Sequence, residues 1–367
     1  MLLLRDAQRT DRASLKPLAA ELNSVNLPAD EGALEEILEK SCQSFAGRRP
    51  VLERTYVFVL EDPATGRLIG TSMLIAQHGT RESPCTFFDV AEKEHYSSTL
   101  DRHFRHLVLT IGYHFDGPTE IGGLVVRRAH RGKEAKPGKQ LAYVRFLYLA
   151  MHRERFKDRV LAELMPPLLP DGRSPFWESC GKRFTGLSYQ EADKKSRANK
   201  EFIQQLFPPG GLYATLFPPR VRRLLGAVGP EARGVEHLLT SIGFRPVGRI
   251  DPFDGGPHYE ARVEEVSLVR AHERLEVALA DLEASSRDPH FLVGLERSRG
   301  RIHFRAVRTP LRVEAKRAHL PGAARELLGV KPGDGVHAVP FDARPAAEHL
   351  TSFSGPGRRR KGGDSNR

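Results

Sequence analysis

The feature that most constrains this chain is an apolar strand, a basic loop and a long helix in direct succession. Residues 120–127 (EIGGLVVR) form a β-branched apolar run, and residues 140–153 place apolar side chains at helical spacing. Between them lies RAHRGKEAKPGK, which is rich in Arg and Lys. Backbone N–H groups and the dipole at a helix N-terminus favour anions. The unit therefore predicts a turn that binds a diphosphate.

Two common phosphate-binding motifs do not fit this loop. A Walker loop needs Ser or Thr after Lys139, where the chain has Gln140, and the loop contains no GxGxxG pattern. The sequence thus argues against nucleotide triphosphate hydrolysis and against a dinucleotide-binding fold. From local sequence alone, a solvated basic loop without a ligand remains the alternative.

The flanking segments predict a sheet that begins antiparallel. Two strands, residues 56–60 and 68–75, enclose the turn EDPATGR and form a β-hairpin signal. Ser174 is expected to cap a helix that Gly181 ends, and DPFDGGPHYE (251–260) reads as a loop. Short strands separated by turns follow toward the C-terminus. The predicted class is α+β, a mixed sheet flanked by helices with a small β-rich C-terminal module.

Length and composition predict two or three domains and a cytoplasmic chain. The 367 residues are 40% apolar, contain three Cys without metal-ligand spacing, and include no apolar run long enough for a membrane span. We predict an N-terminal region (1–275, with a core to 190 and an extension over 191–275), a β-rich module (276–350) and a disordered basic tail (351–367). The net charge of +11 favours anionic partners.

Four further strings carry a specific resemblance. LPADEGAL (27–34), YVFVLEDPATG (56–66), SPFWESCGKRF (174–184) and FDGGPHYEA (253–261) occur in this order over the first 280 residues. Together they resemble the arginine N-succinyltransferase family. That resemblance implies an acyl-CoA N-acyltransferase (GNAT-like) fold and succinyl transfer from succinyl-CoA to the α-amine of L-arginine, in arginine catabolism.

The resemblance implies that coenzyme A binds without a metal, along the strand and loop described above. In the family, the position matching Leu124 binds succinyl-CoA through its main chain. The diphosphate loop departs from the GNAT pattern, since Lys136 stands where the first Gly is expected and Gly138 matches the last. The candidate cofactor-binding residues are Leu124, Val125, Val126, Arg131, Lys133, Gly138, Lys139 and Gln140.

The acceptor site needs a cation for the arginine carboxylate and a carboxylate for its guanidinium. Arg183 or Lys182 could supply the first, and we select Arg183. The second could come from Asp251, Asp254, Glu163 or Asp89, of which we select Asp251 and Asp254. The family's proton-donor His falls at Gly229 in this chain. His237 or His258 could take over its role, or the reaction could run with water and backbone groups alone.

Three readings remain open at this point. The first is an arginine N-succinyltransferase, and the second is a GNAT-type acyltransferase with another acyl donor or amine acceptor, or a weakly active or noncatalytic paralogue. The third is a nucleic-acid-binding protein, disfavoured because the chain lacks RNA-binding strings, zinc fingers and interleaved aromatic and basic residues. We therefore expect arginine and succinyl-CoA as partners, no nucleic acid and no membrane. A homo- or hetero-oligomeric assembly remains open.

Overall fold

A computed structural model describes residues 1–342 except 23–26, 29, 82, 197–199, 284, 286–287 and 299; the predicted tail lies outside this range. Sixteen strands are present in the described residues. They are β1 (Leu3–Asp6), β2 (Thr55–Asp62), β3 (Arg67–Ile75), β4 (Cys85–Ser97), β5 (Arg102–His114), β6 (Thr119–Val126), β7 (Arg159–Glu163), β8 (Leu212–Tyr213), β9 (Arg245–Ile250), β10 (Pro257–Arg262), β11 (Glu273–Val277), β12 (His290–Glu296), β13 (Phe304–Pro310), β14 (Arg312–Glu314), β15 (Arg317–His319) and β16 (Gly335–Pro340).

These strands form one mixed sheet. Its order is β14-β15-β11-β16-β12-β13-β1-β2-β3-β6-β7-β10-β9-β4-β5-β8. Neighbours pair antiparallel except β6 with β7 and β11 with β15, which are parallel. The predicted hairpin is present as β2 and β3. The distal halves of β4 and β5 are largely exposed, so they form a two-stranded arm.

Eleven α-helices accompany the sheet in the same described residues. They are α1 (Arg12–Leu22), α2 (Glu31–Phe45), α3 (Pro137–Met151), α4 (Pro175–Ser179), α5 (Gly181–Thr185), α6 (Tyr189–Ser196), α7 (Glu201–Leu206), α8 (Pro219–Arg222), α9 (Arg233–Ser241), α10 (Ser267–Arg270) and α11 (Gly322–Leu328). None of them is both long and apolar enough to cross a membrane.

The longest apolar helix, α3, lies on one face of the central strands, and α1 and α2 lie on the other. Leu141 of α3 shares a buried cluster with Ile121 and Val126 of β6. Val125 instead packs in a second cluster with α1 and α2 residues such as Leu15. Successive strand residues point to opposite faces, so this split follows from the pleat.

Two loop and helix boundaries differ from the sequence prediction. Gly181 does not end the helix that Ser174 caps; a break at Cys180 separates α4 from α5, which begins at Gly181. A Cβ at Gly181 would stand 2.3 Å from the Trp177 ring, so the glycine is required by packing. The segment DPFDGGPHYE is also only partly a loop, because its last residues, from Pro257, form β10.

Strand β1 joins the N-terminal region to the C-terminal strands. It pairs with β2 on one edge and with β13 on the other. The fully buried Asp6 accepts hydrogen bonds from the backbone N–H groups of His303 and Phe304, both at 3.0 Å. The strands of the predicted C-terminal module thus continue the same sheet, and a domain boundary at 275/276 stays a prediction.

We expect Asp6→Ala to lower the free energy of unfolding by about 1–3 kcal/mol, because it leaves buried N–H groups without an acceptor. Asp6→Asn keeps an acceptor oxygen and should lose less. Burial raises the pKa of Asp6 to about 6, so stability attributable to this group falls as the pH rises from about 4 to about 6. Urea unfolding of both variants across this pH range tests whether Asp6 stabilises the contact between β1 and the C-terminal strands. Equal stability of Asp6→Ala and the unmodified protein would contradict that role.

Candidate functional site

The parallel strands β6 and β7 separate after a very short contact. Their pairing comprises only Thr119 with Val160 and Glu120 with Leu161. The opposite edge of β6 stays paired with β3 as far as Val126. Within the described chain, the edge of β6 that faces β7 is therefore without a strand partner beyond Glu120. An extended ligand can pair with such an edge like an added strand.

A β-bulge bends β6 at the start of this open edge. Thr71 pairs with Val125 and Met73 with Gly122, so β6 has one extra residue between these pairs. Gly123 has φ +58°, a left-handed conformation that favours glycine, and a Cβ there would lie 2.7 Å from the Met73 side chain. After the bulge, Leu124 is half-buried and Val125 is buried. Both residues belong to the strand that the sequence predicts to bind the cofactor.

The N-terminus of α3 lies beside the end of β6. Its cap residue Lys136 is left-handed (φ 49°), and Pro137 occupies the first turn. A Cβ on Gly138 would be 3.9 Å from the Val126 side chain, so the helix start approaches the strand closely. N–H groups of the first helical turn have no acceptor within the helix and present a partial positive charge. The turn has the polarity that an anionic ligand requires.

The predicted loop cations differ in their surroundings. The exposed Arg131 donates from Nε to the Val126 carbonyl at 2.9 Å, and Lys133 is exposed. Lys139 instead places Nζ 4.7 Å from the centre of the Phe341 ring, and burial lowers its pKa. Gln140 is buried and donates its side-chain amide to a loop carbonyl. Arg131 and Lys133 are therefore more accessible than Lys139 to a ligand bound between the open edge of β6 and the N-terminus of α3.

A group of titratable side chains lies near the point where β6 and β7 separate. The far face here means the sheet face opposite α3, where Leu161 packs with Cys85. Side chains on β6, β7 and β10, and on the segments beside them, contribute to the group. We refer to the following residues as the far-face cluster: His78, Cys85, Glu120, Glu163, Asp251, Asp254 and His258.

Electrostatics in the far-face cluster are dominated by burial and by crowded carboxyl groups. Burial, together with Glu120, raises the pKa of Glu163. Burial and the neighbouring Glu163 raise the pKa of Asp251 to about 6, and burial and Asp251 raise the pKa of Asp254 well above its ordinary value. Lys200 contributes an opposing positive charge to Glu163 and Asp251. The cluster is thus suited to bind a cationic group.

The structure brings Asp251, Asp254 and His258 together. Asp251 Oδ1 accepts the N–H groups of Phe253 and Asp254 at 2.7 and 3.0 Å, and Asp254 Oδ1 accepts the N–H of Gly256 at 2.7 Å. Both carboxylates therefore hold the turn, and both remain partly exposed. Burial lowers the pKa of His258 to about 4, which keeps this imidazole neutral at pH 7.

Two other predicted residues occupy exposed positions. His237 lies on the exposed side of α9, and Arg183 is exposed on α5. Neither is among the residues of the far-face cluster, so their roles stay predictions. Sequence reasoning missed His78, Cys85 and Glu120, which come from three separate strands or strand ends. No local motif marks them, because only the fold brings them together.

Gly229 lies against the chain that follows β7. Its N–H donates to the Met165 carbonyl at 2.8 Å, and a Cβ at this position would stand 2.8 Å from the Pro166 carbonyl oxygen. Real Cβ atoms do not approach backbone this closely. A side chain at 229, histidine included, therefore requires the backbone at 165–166 to move.

We expect Gly229→Ala to destabilise the protein by about 1–3 kcal/mol through this overpacking. Gly234→Ala is a matched control, because Gly234 is helical and its Cβ would meet no atom within 4 Å. That control should be neutral or more stable by up to about 1 kcal/mol. Urea unfolding measures both; similar stabilities for the two variants would argue against the close approach.

Comparisons with known proteins cover almost the whole described chain. Family models match as the arginine N-succinyltransferase beta subunit over residues 2–268 and as its C-terminal domain over residues 273–340. An arginine N-succinyltransferase of Yersinia pestis (strain Pestoides F) is 30% identical over 344 residues, covering 92% of this chain and 97% of that protein. Another from Escherichia fergusonii is 30% identical over 355 residues, covering 96% and 100%.

A solved structure agrees with these matches. The arginine/ornithine succinyltransferase subunit AI from Pseudomonas aeruginosa superposes with a TM-score of 0.80 at 30% identity, covering 94% of this chain and 99% of that chain. The predicted fold class, an α+β mixed sheet flanked by helices, is confirmed. This chain belongs to the arginine N-succinyltransferase family.

Proposed function

We propose that this protein is an arginine N-succinyltransferase, an acyltransferase that moves a succinyl group from succinyl-CoA to the α-amine of L-arginine. The observation that carries the proposal is the bulged, unpaired edge of β6 beside the N-terminus of α3, in a chain matched by this family over nearly its full described length. The matches favour this function over a different acyl donor or acceptor. Cytoplasmic location and oligomeric state stay predictions.

The donor would lie along β6. Backbone groups of Leu124, Val125 and Val126 would pair with the pantetheine chain, and a backbone N–H there could polarise the thioester carbonyl. The diphosphate would accept hydrogen bonds from the first turn of α3, at Gly138 and Lys139. Coenzyme A supplies the thiolate leaving group, whereas the protein supplies position and charge.

The acceptor would enter from the far face, opposite α3. Its guanidinium matches the carboxylates of Asp251 and Asp254, since a planar cation can make paired hydrogen bonds to carboxylate oxygens. A bound cation would also lower the raised pKa values of these two groups. The donor and the acceptor would bind on opposite sides of one opening and so be held close together. Such proximity accounts for a large part of the rate enhancement of a two-substrate reaction.

Proton transfer is the step for which this site offers the weakest side-chain groups. The amine must be neutral before it attacks, and the departing thiolate must gain a proton. Gly229 has no side chain, and His258, with a pKa of about 4, is a weak base. We therefore expect turnover that is slow at neutral pH and that rises with pH as free amine accumulates.

The loop cations give a direct test of the donor site. Reversing Arg131 and Lys133 to Glu should raise the Kd for succinyl-CoA at least tenfold, because it replaces two positive charges near the diphosphate with two negative ones. The control reverses the exposed Arg274 and Arg317, on the distant strands β11 and β15, and makes the same change in net charge. Calorimetric titration should find the control unchanged; equal losses in both would mean that the loop does not contact the cofactor.

The acceptor is tested by following thiol release with a panel of acyl-CoAs and amines. Succinyl-CoA with arginine should be the best pair, and lysine should react more slowly because an ammonium makes fewer paired hydrogen bonds. A polyamine or glycine reacting faster than arginine would replace the proposal with an acyltransferase of other specificity. No thiol release with any pair would indicate a noncatalytic paralogue.

The same assay locates the guanidinium. Asp251→Asn keeps the Oδ1 acceptor of the turn but removes the charge, so KM for arginine should rise about tenfold or more. Asp62→Asn is the matched control, since Asp62 also holds a turn, accepting the Ala64 N–H at 3.1 Å. An unchanged KM in Asp251→Asn would place the guanidinium elsewhere.

A further inference from the structure

Three side chains of different chemistry converge within the far-face cluster. His78 follows the end of β3, Cys85 begins β4, and Glu163 ends β7. One ligating atom from each, a ring nitrogen, the thiol sulfur and a carboxylate oxygen, lies within 4.8 Å of the other two. Nitrogen, sulfur and oxygen donors in such proximity form the kind of ligand set that zinc takes in proteins.

The imidazole of His78 is oriented for a ligand. Its Nδ1 lies 2.5 Å from the carboxylate of Glu120, which is almost fully buried. Its Nε2 is buried and meets no hydrogen-bond partner in good geometry among the described residues, and the Cys85 thiol interacts with the same ring. A carboxylate on one ring nitrogen is the arrangement found in metal-ligating histidines.

A second buried imidazole points to the same place. His258 is 1% exposed, and its Nε2 has no hydrogen-bond partner in the described chain although it lies 3.4 Å from Glu163 Oε1. An unpartnered polar atom in the interior costs free energy. The converging ligand atoms themselves belong to His78, Cys85 and Glu163, and His258 adjoins this group through Glu163.

We propose that His78, Cys85 and Glu163 bind a divalent metal ion of the zinc class, and that Glu120 positions His78. On binding, the Cys85 S–H bond breaks, its proton leaves to solvent, and the sulfur forms a bond to the metal without any change of oxidation state. Glu163 and His78 keep 28% and 19% of their side chains exposed, which leaves a path for the ion. The metal ligands share the far-face cluster with Asp251 and Asp254 but do not include them, so metal binding can be tested without the acyl acceptor.

Cobalt(II) tests the sulfur ligand directly, because Co²⁺ occupies zinc sites and a Co²⁺–thiolate bond gives a charge-transfer absorption in the near ultraviolet. Titrating the metal-free full-length protein should give this band at one equivalent, and Zn²⁺ should abolish it. Cys85→Ser should lose the band, whereas Cys42→Ser and Cys180→Ser should keep it. Absence of the band in the unmodified protein, or its loss in either control, would overturn the proposal.

The oriented histidine gives a second test that does not remove a ligand. Glu120→Gln should weaken Zn²⁺ binding about 10- to 100-fold, the range typical of a lost outer-shell carboxylate. In thermal unfolding, Zn²⁺ should raise the Tm of the unmodified protein and of His237→Gln, an exposed control, but raise it less in Glu120→Gln. Equal Zn²⁺ affinity in Glu120→Gln and the unmodified protein would contradict the positioning role.

Discussion

The two-residue parallel contact between β6 and β7 is the constraint on which the site depends. Each strand is held along its other edge, β6 by β3 and β7 by β10, and their pairing with each other ends at Glu120 and Leu161. The bulge at Gly123 bends β6 in the same region. The backbone groups left open are strong hydrogen-bonding groups, and an extended ligand is the partner that they lack.

This opening divides the chemistry between two faces. On one face, α3 contributes a helix N-terminus whose polarity suits an anion. On the far face, carboxyl groups accumulate, and burial together with mutual repulsion raises the pKa values of Glu163, Asp251 and Asp254. Anionic and cationic reactants would therefore approach from opposite sides and meet at the separated strands. Such an arrangement reduces electrostatic interference between the two binding events.

Local patterns in the sequence were sufficient for the elements but not for all of the site. The strand, loop and helix around β6 and α3 were predictable because apolar periodicity and helix-start residues act over short distances. The orientation of Lys139 toward Phe341 was not, since Phe341 follows the last strand and only tertiary packing brings it near. The partnership of His78 with Glu120 is equally non-local. The prediction that Gly181 ends a helix was wrong, because this glycine is required by its packing against the Trp177 ring.

The close approach at Gly229 also limits how this chain can change over generations. Because the Pro166 carbonyl occupies the space of a side chain, replacing this glycine is harmful until the neighbouring backbone has shifted. Substitutions must therefore accumulate in a particular order, first around residues 165–166 and only then at 229. A histidine at this position is therefore expected to be tolerated only in a chain whose backbone at 165–166 has already moved.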